Sequence, residues 1–284
     1  MTSRNAQDAW RTTKERSLNV PYRLAARYGV PPFVSSVYWR AETAYWRARA
    51  AMAGDAVETT VAGETVRFGV STVAEYRRAT TFGGERDLIA TLLSTLDGTE
   101  TVWDVGACVG TYTCFVANAL TSGQVVGFEP EAVNRSRLRS NLETTAPAER
   151  WTVSPIALAD ENGTTILASE TVEAGGGHHY LAPDGVGRTV ETRRGEDLLD
   201  DGFAPPDVVK IDVQGAELFV LQGLGELLDT VESISLEVHS EKCRRYGTTA
   251  EEVEAFLRAA GYTLTHLGGP ADRRSGVYFV HAHR

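Results

Sequence analysis

The sequence predicts an α/β fold: a mostly parallel seven-stranded sheet with helices on both faces and an antiparallel strand near its end. Three observations carry that reading. From residue 101 onward short β-branched runs alternate with helical periodicity, the pattern of repeated strand–helix units. A glycine loop, Gly106 to Gly110, joins the first of these runs to its helix, at the carboxyl end of the strand, where open α/β folds hold ligands. Two closely spaced terminal runs, 262–267 and 276–282, read as a hairpin, which sets one strand against the others.

Ahead of the sheet, residues 1–80 read as a helical and β-hairpin extension and residues 81–284 as the main domain. Val34, Val37, Tyr38, Ala41, Tyr45, Ala48 and Met52 recur at three- and four-residue spacing, an amphipathic helix that follows Pro31-Pro32. Residues 57–70 alternate around Ala62-Gly63 as a hairpin does. A helix over 86–96 stops at Asp97-Gly98. Strands then fall at 101–105, 124–128, 152–157, 208–213 and 233–238, with helices at 111–119, 131–143 and 216–228. Thr249 and Glu252 have the side-chain types of a capping box, opening a helix that ends at Gly261. Gly175-Gly-Gly-His-His179 reads as a flexible loop, its two histidines candidates for a lid.

Composition narrows the function. The 284 residues carry a net charge of −10, which argues against nucleic-acid binding, since phosphate binders present a basic face. The charge is uneven: residues 1–53 hold nine basic and three acidic side chains, and the rest is strongly acidic. Apolar runs are too short to span a bilayer, and the first thirty residues lack a signal-like apolar stretch. A cytoplasmic protein is expected. The basic, aromatic helix over 34–52 can lie on the inner membrane face, or its apolar side can pack on the catalytic domain or a second subunit. Cys108, Cys114 and Cys243 fit a reducing compartment and form no CxxC pair.

The glycine loop, Asp104-Val-Gly-Ala-Cys-Val-Gly110, carries the chemistry. A dinucleotide loop needs glycine at its second position so that a pyrophosphate can approach; here that position is Cys108. Asp104, just before the loop, would repel a pyrophosphate but suits the cationic amino group of a methionyl moiety, which points to S-adenosylmethionine. Glu129 ends the next strand, where an acid can accept hydrogen bonds from both ribose hydroxyls.

These segments, DVGACVGTYT, GFEPEAVNRSRLRSNL, PIALAD, VVKIDVQGAELFVLQG and ISLEVH, in this order over residues 80–240, resemble the FkbM-family methyltransferases. The resemblance implies a Rossmann-like class I methyltransferase fold, S-adenosylmethionine as cofactor, and methyl transfer, usually to oxygen, on sugars or secondary metabolites. It places Asp104, Gly106, Ala107, Gly110 and Thr111 at the methionyl end. Glu129, Pro130 and Asn134 fall by the ribose, and Ala157, Leu158 and Asp160 around the adenine. Glu85 matches an acid the family tends to carry before its first strand. One departure stands out: the family's K-I-D-x-E-G has Gln214 in place of its Glu.

Transfer to a hydroxyl calls for a base. Lys210, Asp212, Glu237 and His239 stand at the carboxyl ends of two strands, with 210 and 212 sharing one face and 237 and 239 another. Asp212 reads as a base or as a holder of the acceptor, and His239 as a base. Asp212 could instead cap the next helix or pair with Lys210. No metal is expected, although Asp212 and Glu237 offer the oxygens a divalent ion would take. The acceptor is a glycan or small molecule, lipid-linked if the front helix meets a membrane. A non-catalytic scaffold of the same fold and a nucleotide-dependent oxidoreductase are the competing readings.

Overall fold

The computed structural model describes residues 32–169, 174–177, 179–182, 184–267 and 276–284. The chain divides between Met52 and Ala53. On the first side lies α1 (Pro32–Ala53). It starts at Pro32, whose fixed φ and missing N–H suit a first helical position. Ala41, Tyr45, Ala48 and Met52 of the expected apolar stripe are exposed, as are Arg40, Arg47 and Arg49. Val34, Val37, Tyr38 and Trp39 lie outside the described side chains. Among the described residues no helix is long and apolar enough to cross a membrane.

The second unit opens with β1 (Ala56–Val61) and β2 (Glu64–Gly69), paired antiparallel around Ala62 and Gly63. Both turn residues have positive φ, which matches the twist of a two-residue hairpin. α2 (Val73–Thr81) begins with a capping box between Thr72 and Glu75, and α3 (Arg86–Ser94) follows. β3 (Thr101–Val105), α4 (Thr111–Ala119), β4 (Gln124–Phe128), α5 (Ala132–Glu143) and β5 (Trp151–Ser154) form the first strand–helix repeats. Next come β6 (Ala157–Leu158), β7 (Gly163–Ser169), β8 (His179–Leu181) and β9 (Arg188–Arg193). β10 (Val208–Ile211), α6 (Glu217–Leu224), β11 (Ser233–His239), α7 (Ser240–Cys243) and α8 (Ala250–Ala259) precede the closing pair β12 (Thr263–Leu267) and β13 (Val277–His283).

The main sheet has seven strands in the order β12-β13-β11-β10-β3-β4-β5. β13 runs antiparallel to both β11 and β12, while β10, β11, β3, β4 and β5 pair in parallel. β3 and β10 lie at its centre, and Trp103, Val209 and Ile211 are fully buried in the core with Phe128, Leu221 and Ile234. Phe68 of the hairpin meets Phe115 of α4 edge to face at 5.9 Å, so β1 and β2 cover that helix. The capping box expected at Thr249 and Glu252 opens α8.

Three details differ from the sequence reading. The run 152–157 splits at Pro155: β5 ends at Ser154, and β6 joins a separate four-stranded sheet, β6-β9-β7-β8. Proline lacks the N–H a ladder needs, so the strand stops there. That second sheet was not expected, because its strands are half exposed and rich in Thr, Glu and Arg. The helix over 216–228 ends at Leu224, where Gly225, at φ 53°, begins a tighter 3₁₀ turn.

Candidate active site

β3 delivers the chain to Gly106, which turns with φ 82°. A Cβ there would stand 1.9 Å from the Asp212 carbonyl oxygen, so only glycine allows β3 and β10 to end side by side. Cys108 also takes a positive φ, 50°, unusual for a residue with a side chain. Its N–H is thereby turned onto Glu129 Oε2 at 2.7 Å, while the Glu131 N–H donates to Oε1 at 2.8 Å. Glu129 is 5% exposed. Burial pushes its carboxyl up to about 7, against the pull of the Glu131 and Cys108 amides. Two lone-pair positions on its oxygens remain for a ligand's hydroxyls.

A cavity opens from this loop. Of the residues expected to hold cofactor, Gly106, Glu129, Pro130, Asn134, Ala157 and Leu158 line it. Ile156 and Phe128 add apolar wall, a surface suited to a flat heterocycle. Asn134 is spent on the glycine loop: its Oδ1 accepts from Gly175 N and its Nδ2 donates to Gly176 O, both at 3.0 Å. It fixes the loop that lines the cavity, and it lines the cavity itself beside Glu129. His179 lines the cavity; His178 lies outside the described residues.

Asp104, Ala107, Gly110, Thr111 and Asp160 stand outside the cavity wall. Asp104 is 1% exposed. Its carboxylate lies 2.9 Å from Lys210 Nζ and accepts from Thr113 Oγ1 at 2.5 Å, so it faces inward and not toward a ligand. Gly110, at φ 92°, starts α4, and Ala107 and Thr111 are buried beside it. Asp160 offers its carbonyl to Arg194 Nη1 at 3.0 Å. Lys210 pairs with Asp104 and not with Asp212, and its Nζ also donates to Gly106 O at 3.1 Å. Burial works against its charge, but Asp104 and Asp212 outweigh that and hold the ammonium above the usual lysine range. This buried pair fixes the loop from below.

Beyond the loop the strand ends bring Asp212, Glu237 and His239 together. Asp212 lines the cavity with Gln214, and it does not cap α6, which begins without a side-chain cap. Burial would raise the Asp212 carboxyl, but Lys210, His239 and Arg78, with a hydrogen bond from Gln214, hold it below the usual range. The family's departure at position 214 finds its reason here. Gln214 donates through Nε2 to Asp212 Oδ1 at 2.7 Å and accepts from Lys242 Nζ through Oε1. A glutamate could accept but not donate.

His239 is 2% exposed and places Nε2 3.9 Å from Asp212 Oδ1 and 3.7 Å from Glu237 Oε1. Its Nδ1 lies 2.9 Å from Glu217 Oε1. Glu217, fully buried, also accepts from Gly215 N at 2.9 Å. With Nδ1 donating to this carboxylate, the ring presents Nε2 to the site as the basic nitrogen. Asp212, Glu237 and His239 also put their ligand atoms within 4.8 Å of one another, a spacing open to a divalent ion.

Sequence reasoning missed Glu217. The available signal was an acidic residue at the start of the mostly apolar ELFVLQGL helix. It also passed over Arg78; Glu85, matched through the family resemblance, accepts from Tyr112 Oη through Oε2 at 3.1 Å.

This strand order, with a glycine turn after the central strand, a buried acid at the end of β4 and an apolar cavity between, is that of class I S-adenosylmethionine-dependent methyltransferases. The chain belongs to the FkbM methyltransferase family: the family model described as "Methyltransferase FkbM domain" matches residues 104–264. It is an S-adenosylmethionine-dependent methyltransferase. Hexuronic acid methyltransferase AglP of Haloferax volcanii is 34% identical over 183 residues, which cover 63% of this chain and 73% of the relative. AMB antimetabolite synthetase AmbE of Pseudomonas aeruginosa is 29% identical over 203 residues, but the match covers only 10% of that protein. Among solved structures, magnesium protoporphyrin IX methyltransferase of Synechocystis PCC 6803 with bound cofactor aligns over 76% of this chain and 86% of its own. Its identity is 12% and its TM-score 0.47.

Proposed function

We propose that this methyltransferase acts on an oxygen of an acidic sugar, carried by a glycan or a small molecule. The observation that carries the transfer to oxygen is the row Glu217–His239–Asp212, which ends at the cavity. The sugar class follows from the resemblance to a protein named for hexuronic acid methylation.

The residues present fit the cofactor. Glu129 keeps acceptor positions for the ribose hydroxyls, Ile156, Ala157 and Leu158 give an apolar slot for the adenine, and Gly106, which lines the cavity, lets β3 and β10 end side by side beneath it. When bound, S-adenosylmethionine supplies a methyl group on a cationic sulfur. The protein's part is placement and proton handling. His239 Nε2 takes the single proton of the incoming hydroxyl, and the carboxylates of Glu217 and Asp212, the latter held ionised, stabilise the imidazolium that forms. Gln214 and Lys242 keep Asp212 in position.

The test supplies labelled S-adenosylmethionine with an oligosaccharide containing glucuronic acid, and with its neutral glucose counterpart. Label is expected on the acidic sugar alone, as an alkali-stable ether. Equal labelling of both sugars, or none by a protein that binds S-adenosylhomocysteine, would overturn the reading. Alkali-labile label would move the receiving atom to the carboxylate, where no base is needed.

A further inference from the structure

Arg78, in the last turn of α2, sits where the glycine loop meets the strand-end acids. A Cβ on Gly177 would come within 2.7 Å of its Nη2, and Gly177 lines the cavity. Its electrostatic neighbours are Cys108, Glu85, Asp212 and Glu237. Other groups already hold two of those acids. Tyr112 donates to Glu85, and Gln214 donates to Asp212. The nearby Lys210 is committed to Asp104. The Arg78 carbonyl accepts from the Phe82 N–H, but among the described residues its guanidinium makes no hydrogen bond and no ion pair. A guanidinium stays charged and offers five N–H donors in a planar fork, so leaving it without an acceptor beside a cavity is costly. The ligand that matches the fork is a planar anion with two oxygens.

We propose that Arg78 is a carboxylate-binding residue of this site, filled by the methionyl carboxylate of the cofactor or by the carboxylate of an acidic sugar. The cofactor source stands on the family alone; the sugar source rests on the acceptor reading above. Asp104, turned inward onto Lys210 and Thr113, would in any case suit the amino group, so the methionyl carboxylate needs a cation of its own. Arg78 is the cation that α2 places beside the loop.

The experiment is calorimetry on the full chain, wild type against Arg78→Gln and Arg78→Lys. The probes are S-adenosylhomocysteine, 5′-methylthioadenosine (which lacks the amino-acid end), and D-glucuronate added to protein saturated with S-adenosylhomocysteine. If the cofactor fills the subsite, Arg78→Gln weakens S-adenosylhomocysteine binding about a hundredfold, as losing one partner of a buried charged pair does. Methylthioadenosine then binds within twofold of wild type, and Arg78→Lys restores part of the loss. If the sugar fills it, S-adenosylhomocysteine is unaffected and glucuronate binding is lost. Wild-type affinities for all three probes in Arg78→Gln would overturn the proposal. So would a parallel loss of methylthioadenosine, which would make Arg78 a structural residue. Wild-type protein that binds neither nucleoside would instead undo the reading of the cavity as the cofactor site.

Discussion

Lowering the pH from 8 to 6 is expected to weaken S-adenosylhomocysteine binding about tenfold, through one carboxyl group. Glu129 is buried and titrates at about 7 in the free protein. Roughly nine in ten of its side chains are ionised at pH 8 and one in ten at pH 6. Only the ionised form can accept from both ribose hydroxyls while keeping the Cys108 and Glu131 amides, because protonation turns an acceptor into a donor. The ratio of ionised fractions therefore appears in the dissociation constant, worth about 1.4 kcal/mol. Stability runs the other way. The folded carboxyl titrates above the ordinary 4.5, so the folded chain binds that proton more tightly. The stability this adds is full below about pH 4.5 and is lost as the pH rises through about 7. Calorimetry from pH 5.5 to 8, in two buffers of different ionisation heat, reads both the affinity and the proton released on binding. Glu129→Gln should bind about 10- to 100-fold more weakly and lose the pH dependence. A flat wild-type profile, or the same slope in Glu129→Gln, would refute the assignment.

Two further outcomes follow from the same geometry. Gly106→Ala would drive a methyl group into the Asp212 carbonyl, so binding of S-adenosylhomocysteine should disappear and Tm should fall by several degrees; wild-type values for both would disprove the close approach. Glu217→Gln keeps a hydrogen-bond acceptor for His239 but removes the charge, so kcat should drop about tenfold and the acidic limb of its pH profile should move to lower pH. An unchanged profile, with S-adenosylhomocysteine affinity intact, would make Glu217 a packing residue only.

What the sequence determined by itself was local or periodic. The strand–helix alternation, the hairpin around Ala62-Gly63, the capping box at Thr249 and the turn at Gly106 each depend on residues a few positions apart, and each is observed. The cavity-lining residues Ala157 and Leu158 were legible only through family resemblance, since nothing in their chemistry marks them. Tertiary structure decided which charges meet. Lys210 could have paired with Asp212, two residues along the same strand, but it reaches Asp104 on the neighbouring strand because β10 and β3 set the two directly opposite each other. Asn134 turned out to hold a loop some forty residues away, and Glu217 to back a histidine on another strand. The second sheet escaped notice because half-exposed strands carry little periodic signal. Burial explains the division. Inside the fold an ionised or polar group must find a partner, and which partner lies within reach is set by strand order and register, which no short stretch of sequence contains.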